Sequence, residues 1–158
     1  MYEKLSLDQV YEIALGKSFR HLSFRARSEK EVRDYLAKKE IPEIVINQTI
    51  QKLLDMRYLD DDEFTTWWIE QRQLHRPKSK MVIKMELKQK GISDEIIEKH
   101  LTESKNDLET AKGLFEKKKR TFERYTGDQY NQKVSQFLQR RGFNWDIIKE
   151  ILKDETST

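Results

Sequence analysis

The sequence predicts an all-α protein made of three tandem three-helix repeats, and three observations predict it. The first is a period of 51 residues: Leu36, Lys39, Glu40, Ile41 and Ile46 recur as Leu87, Lys90, Gly91, Ile92 and Ile97, then as Leu138, Arg141, Gly142, Phe143 and Ile148. Val45, Ile96 and Ile147 superpose in the same register, as do Val32, Ile83 and Val134. The second is helical spacing of apolar residues in almost every segment. The third is the scarcity of glycine (5) and proline (2) in 158 residues, which favours long helices over many turns. In such arrays each unit packs mainly on its neighbours and the exposed surface performs the work. The expectation is an elongated, curved, monomeric binding scaffold.

The helices follow in order. Leu7, Val10, Ile13 and Ala14 open an apolar stripe that Phe19, Leu22 and Phe24 continue. Ser28 reads as an N-cap, and Glu31 three residues later completes a capping box. Val32, Tyr35 and Leu36 face the core from that second helix, and Val45, Ile46, Ile50, Leu53 and Leu54 line a third. Tyr58-Leu59 is a turn. Asp60 to Glu63 then place acids at the positive end of the next helix, which carries Phe64, Trp67 and Trp68 and ends before Pro77.

Helix stops are well specified in the later units. Gly91 and Gly142 fall where a helix C-terminus takes a left-handed residue, and Ile92 and Phe143 supply the apolar contact beyond it. Ser93 and Asn144 then cap the following helix. The first unit has Glu40, Ile41 and Pro42 at these places. Either Glu40 accepts a steric penalty in a glycine's conformation, or that turn differs. Ile13, Phe64 and Phe115 also lie 51 residues apart, which gives three equal blocks of about residues 8–57, 59–106 and 108–154. The abrupt ends fit an excerpt of a longer protein.

Charged residues make up 37% of the chain and hydrophobic residues 36%, a highly charged but foldable mixture. With no cysteine there is neither a disulfide nor a thiolate metal site. The N-terminal stretch lacks the basic-then-apolar pattern of a secretory signal, and no apolar run approaches the roughly 20 residues of a membrane helix. A cytoplasmic location and no membrane partner are expected. His21, His75 and His100 form no i, i+4 pair, no glycine-rich phosphate loop exists, and no nucleophile has a recognisable base beside it. Neither a catalytic residue, a metal nor a cofactor is expected. The acids Asp60, Asp61 and Asp62 are better explained as a helix cap than as a cation site, and Trp67 and Trp68 as core packing rather than base stacking.

The net charge of +3 is modest, but its distribution is sorted. Basic residues gather at the ends of the blocks' opening helices and on the helices that follow; acids gather on the blocks' last helices and the starts of the next. Stacking would turn this into a basic and an acidic stripe. The candidate contact residues are Arg25, Arg27, Arg72, Arg76, Lys88, Lys117, Lys118, Lys119, Arg120, Arg124, Arg140 and Arg141. Whether the run Lys117 to Arg120 contacts phosphate or is a solvated helix face stays open at this level.

Four segments in series carry a family resemblance: Arg25-Ala26-Arg27-Ser28-Glu29-Lys30-Glu31-Val32-Arg33 followed by Leu36; Tyr58-Leu59-Asp60-Asp61 followed by Phe64 and Trp68; Glu86-Leu87-Lys88-Gln89-Lys90-Gly91-Ile92; and Leu138-Gln139-Arg140-Arg141-Gly142-Phe143. Each alone is mainly helix-boundary chemistry, but together, spanning about residues 8–154, the chain resembles the RecX family of bacterial regulatory proteins. The resemblance implies an all-α fold of tandem three-helix repeats. It also implies a non-enzymatic role in recombination, DNA repair and the SOS response: binding the RecA recombinase, lying along the RecA–DNA filament and modulating it, usually as an inhibitor. The alternative, from a different class, is an autonomous module binding single- or double-stranded nucleic acid through the basic stripe.

Overall fold

The computed structural model describes residues 1–156, and among these there are nine α-helices and no strand. They are α1 (Leu7–Phe24), α2 (Glu29–Lys38), α3 (Glu43–Asp55), α4 (Asp61–Leu74), α5 (Lys80–Gln89), α6 (Asp94–Glu103), α7 (Asp107–Phe122), α8 (Gly127–Arg140) and α9 (Trp145–Thr156).

Local chemistry sets most of their ends. Ser28 accepts from Glu31 N–H while Glu31 accepts from Ser28 N–H, the expected capping box at α2. Ser6 and Gln9 form a second box at α1 that the sequence reading passed over. Asp60 accepts from the N–H groups of Asp62 and Glu63 at the start of α4, and Asn144 from that of Ile147 at the start of α9. Pro42 precedes α3 without a side-chain cap.

Both glycine stops are present. Gly91 has φ 79° and Gly142 φ 90°, and beyond each the N–H of Ile92 or Phe143 reaches back to Leu87 or Leu138 O, closing the Schellman turn. Glu40 adopts the same conformation, with φ 62° and Ile41 N–H bonded to Leu36 O. So the first turn keeps its geometry and Glu40 carries the strain. Arg57 (φ 60°) closes α3 in the same way, with Tyr58 N–H bonded to Leu53 O, and Arg76 (φ 51°) follows α4. Nothing in their residue type announced either.

The period of 51 residues holds for the third helix of each repeat: α3, α6 and α9 begin at Glu43, Asp94 and Trp145. The opening helices keep another register, because α4 begins at Asp61 and α7 at Asp107, 46 residues on. Counted from the helix start, buried Thr65 and Ile69 therefore correspond to buried Ala111 and Phe115. Phe64 and Phe115 are both buried but are not counterparts along their helices.

The chain divides into two compact units, one of residues 1–67 with 87–97, the other of residues 68–86 with 98 onward. In the first, α1 packs on α3 and α2 around Val10, Ala14, Val32, Leu36, Ile50 and Leu53. Phe24, placed on the apolar stripe by its spacing, is 72% exposed beyond that core. In the second unit, α7 packs on α8 and α9 around Ala111, Phe115, Phe122, Val134, Leu138 and Ile148. Among the described residues no buried side-chain nitrogen or oxygen lacks a hydrogen-bond partner.

Each unit also holds one join between successive repeats. In the first, the buried Ser28 hydroxyl donates to Lys90 O at 2.6 Å, and the Lys30 side chain lies against Gly91. In the second, the buried Ser79 donates its N–H to Arg141 O at 3.0 Å, and Val82 lies against Gly142. A Cβ on Gly91 would stand 2.6 Å from Lys30 Cβ, and one on Gly142 would stand 2.3 Å from Val82 Cγ2. The glycines are thus required twice, for their positive φ and for close approach. A left-handed Glu40 shows that the conformation alone does not demand glycine.

Candidate partner-binding surface

The twelve candidate cations separate into those that hold the fold and those that stand open. In the first unit Arg25 grips Glu31 through both terminal nitrogens, at 2.6 and 3.2 Å, and Lys90 reaches the same carboxylate at 2.9 Å. Burial alone would push the Glu31 carboxyl up. Arg25, Lys90 and the Ser28 N–H outweigh it and hold the group at about 2. Arg27 donates from Nε to His21 O, and burial followed by the nearby Arg25 charge lowers its pKa. Lys88 pairs with Asp94 at 3.2 Å.

The second unit has its own clamp. Arg72 Nε (2.8 Å), Trp68 Nε1 (3.0 Å) and Lys78 Nζ (3.2 Å) converge on the Glu86 carboxylate. Burial raises that carboxyl's pKa, and the three donors more than reverse it. Trp67 and Trp68 are both half-buried, Trp67 beside Phe64 and Trp68 tied to Glu86, so both serve the fold. Lys119 pairs with Glu155 and Lys112 with Asp154, so two acids of α9 neutralise one row of bases on α7. Arg141 is half-buried rather than exposed: its guanidinium lies over the Phe137 ring and its carbonyl takes the Ser79 N–H.

Six candidates remain open. Arg76, Lys117, Lys118 and Arg120 are exposed, and among the described residues their side chains have no hydrogen-bond or ion-pair partner. Arg124 lies over the Tyr125 ring, where Lys133 also stands, and Arg140 bonds back to Gln136 O on its own helix. All six belong to the second unit. Of the twelve candidates, those left open all lie in that unit, although exposed cations outside the twelve, such as Arg20 and Lys38, stand in the first. The signal that would have found this is long-range pairing, which composition and period do not contain.

Among the described residues no group of three or more His, Asp or Glu is placed to hold a metal ion. His21 instead stacks on Tyr35, ring centroids 4.0 Å apart. Among the described residues no helix is long and apolar enough to cross a membrane.

These features define a class of protein: a tandem array of three-helix domains with a highly charged surface. Three family models match in series: the RecX first three-helix domain over residues 14–53, the second over 60–101 and the third over 105–152. The chain belongs to the RecX family. It is 36% identical over 140 residues to the regulatory protein RecX of Bacillus cytotoxicus, an overlap of 85% of this chain and 52% of that one. It is 35% identical over 154 residues to that of Bacillus pumilus, covering 94% of this chain and 59% of the relative. The chain thus spans between half and three-fifths of these two relatives. The crystal structure of RecX from Lactobacillus salivarius superposes with a TM-score of 0.78 at 27% identity, over 96% of this chain and 99% of that one. A second RecX crystal structure superposes at 0.76 with 24% identity, a likeness of fold, over 93% of this chain and 73% of the other.

Proposed function

We propose that the chain binds the RecA recombinase or the RecA–DNA filament and restrains the recombinase, with no catalysis of its own. The observation that carries this reading is the unbroken series of three RecX domains through its helices, in relatives named as regulatory proteins. In this reading a monomer in the cytoplasm lies along the filament. The open cations Arg76, Lys117, Lys118, Arg120, Arg124 and Arg140 meet the partner, while the clamped Arg25, Arg72 and Arg141 keep the helices in place.

The second reading is an autonomous nucleic-acid module, favoured by the six open candidate cations of the second unit. A salt series separates the two. Binding to bare DNA falls steeply with salt because counterions are released, whereas a protein-borne contact with the filament is only moderately screened. Co-sedimentation with RecA filaments at salt where bare-DNA binding has gone supports the first reading; parallel loss of both supports the second.

A further inference from the structure

A groove in the second unit combines free cations with a lining that holds no carboxylate. It lies between Gln73 and Pro77 on one side and α7 on the other, with Lys105 and Lys117 at its rim and a volume near 260 Å³. Thr110, Gly113 and Lys117 line it from α7, above the buried Leu114. No carboxylate lines it. The nearby Asp107 is committed to the Lys80 N–H, and the α7 acids Glu109, Glu116 and Glu123 recur every seven residues on a neighbouring row.

The Thr110 hydroxyl donates to Asn106 O, and the groove's other polar side chains are unspent. Lys105, Lys117 and Gln73 are exposed and carry no ion pair or side-chain hydrogen bond. Gly113 opens the floor: it sits mid-helix, where glycine is disfavoured, and a Cβ there would meet nothing within 4 Å. A glycine needed neither for a turn nor for packing keeps a charged wall low. Further along α7, Arg120 extends the positive face at helical spacing, and Arg124 follows in the turn just beyond the helix.

We propose that this acid-free groove seats the phosphodiester backbone of a single nucleic-acid strand, with Lys105 and Lys117 on the phosphates and Gly113 giving the strand access to α7. The lining has no aromatic ring to stack on bases, so recognition is by charge and independent of sequence. A flexible single strand can follow such a groove with its phosphates, whereas a rigid duplex presents it only one edge. The inference rests on the reading of the chain as partner of a DNA-bearing filament, and its test uses bare DNA, so that the two fail separately.

The experiment is fluorescence anisotropy of a labelled single-stranded oligonucleotide titrated with the whole chain over a salt series. Gly113→Ala should raise the melting temperature and, because a methyl group narrows the groove without adding charge, weaken DNA binding by less than Gly113→Glu does. Gly113→Glu, at an exposed position where a Cβ meets nothing within 4 Å, should stay folded by circular dichroism and weaken binding about tenfold or more, the scale expected when a carboxylate enters a phosphate site. Lys117→Gln should reduce the salt slope by about 0.7, the value for one phosphate on a single strand. A folded Gly113→Glu that binds the oligonucleotide as wild type does overturns the proposal. So does duplex DNA competing as well as the single strand. If wild type ignores the oligonucleotide while Gly113→Glu loses inhibition of RecA, the groove belongs to an acidic protein segment and the proposal is wrong. Wild type that binds the oligonucleotide but never affects RecA refutes the functional reading and leaves the groove standing.

Discussion

The Ser28 hydroxyl does two jobs at once: it accepts from Glu31 N–H to cap α2, and it donates at 2.6 Å to Lys90 O, the residue before the left-handed Gly91. The helix cap is thereby also a join between two repeats. Ser28→Ala removes the cap and leaves the Lys90 carbonyl short of a partner in a buried place. The expected loss is about 1–2 kcal/mol by chemical denaturation. A loss within error would mean that water replaces the hydroxyl and the join is packing alone.

The three stops should respond differently to substitution. Gly91→Ala and Gly142→Ala each meet a positive φ and a neighbour at 2.6 or 2.3 Å. Both should cost more than the roughly 1–2 kcal/mol of left-handed strain, with repacking adding on the order of 1 kcal/mol. Glu40→Gly relieves the strain at an exposed position and should stabilise by up to about 1 kcal/mol. Thermal unfolding of the three variants reads this directly; a higher melting temperature for Gly91→Ala would contradict the close approach.

Acid should loosen the first unit through Glu31. Its folded pKa, about 2, lies below its usual value of 4.5, so the stability it contributes is present above that usual value and is lost as pH falls from about 5 towards 2. Asp61 acts in the opposite sense: burial raises its pKa, and its protonation favours the fold. Comparing wild type with Glu31→Gln isolates the effect. The variant should be less stable at neutral pH, and the gap should close by about pH 2. A gap independent of pH would assign the loss to packing.

What the sequence made legible was local. The capping box at Ser28 and Glu31, the glycine stops and the acids at the start of α4 are spacings of three or four residues, and the structure holds each of them. The repeat made the order of helices legible as well. The candidate surface was legible only as a list of cations, because what divides it is pairing across distance. Lys90 meets Glu31 59 residues away, and Arg141 meets the segment around Ser79 62 residues away. The left-handed Arg57 and Arg76 carry no residue-type signal, since arginine is not chosen for that conformation. Gly113 was readable as a glycine inside a helix, but its meaning depends on Gln73 and Pro77 across the groove.

The most direct test is inhibition of RecA's DNA-dependent ATP hydrolysis by wild type and by a variant with Lys117, Lys118, Arg120 and Arg124 changed to Glu. These four are exposed, and none takes part in an ion pair, unlike Lys119, which holds Glu155 and should be left intact. Wild type should inhibit in a dose-dependent way; the variant, folded by circular dichroism, should require at least about tenfold more protein, the scale expected when several charges at a binding surface are reversed. Wild type that leaves hydrolysis unchanged while binding to filaments is undetectable would contradict the assignment as a RecA regulator. A folded variant as potent as wild type would remove the open cations of the second unit from the contact.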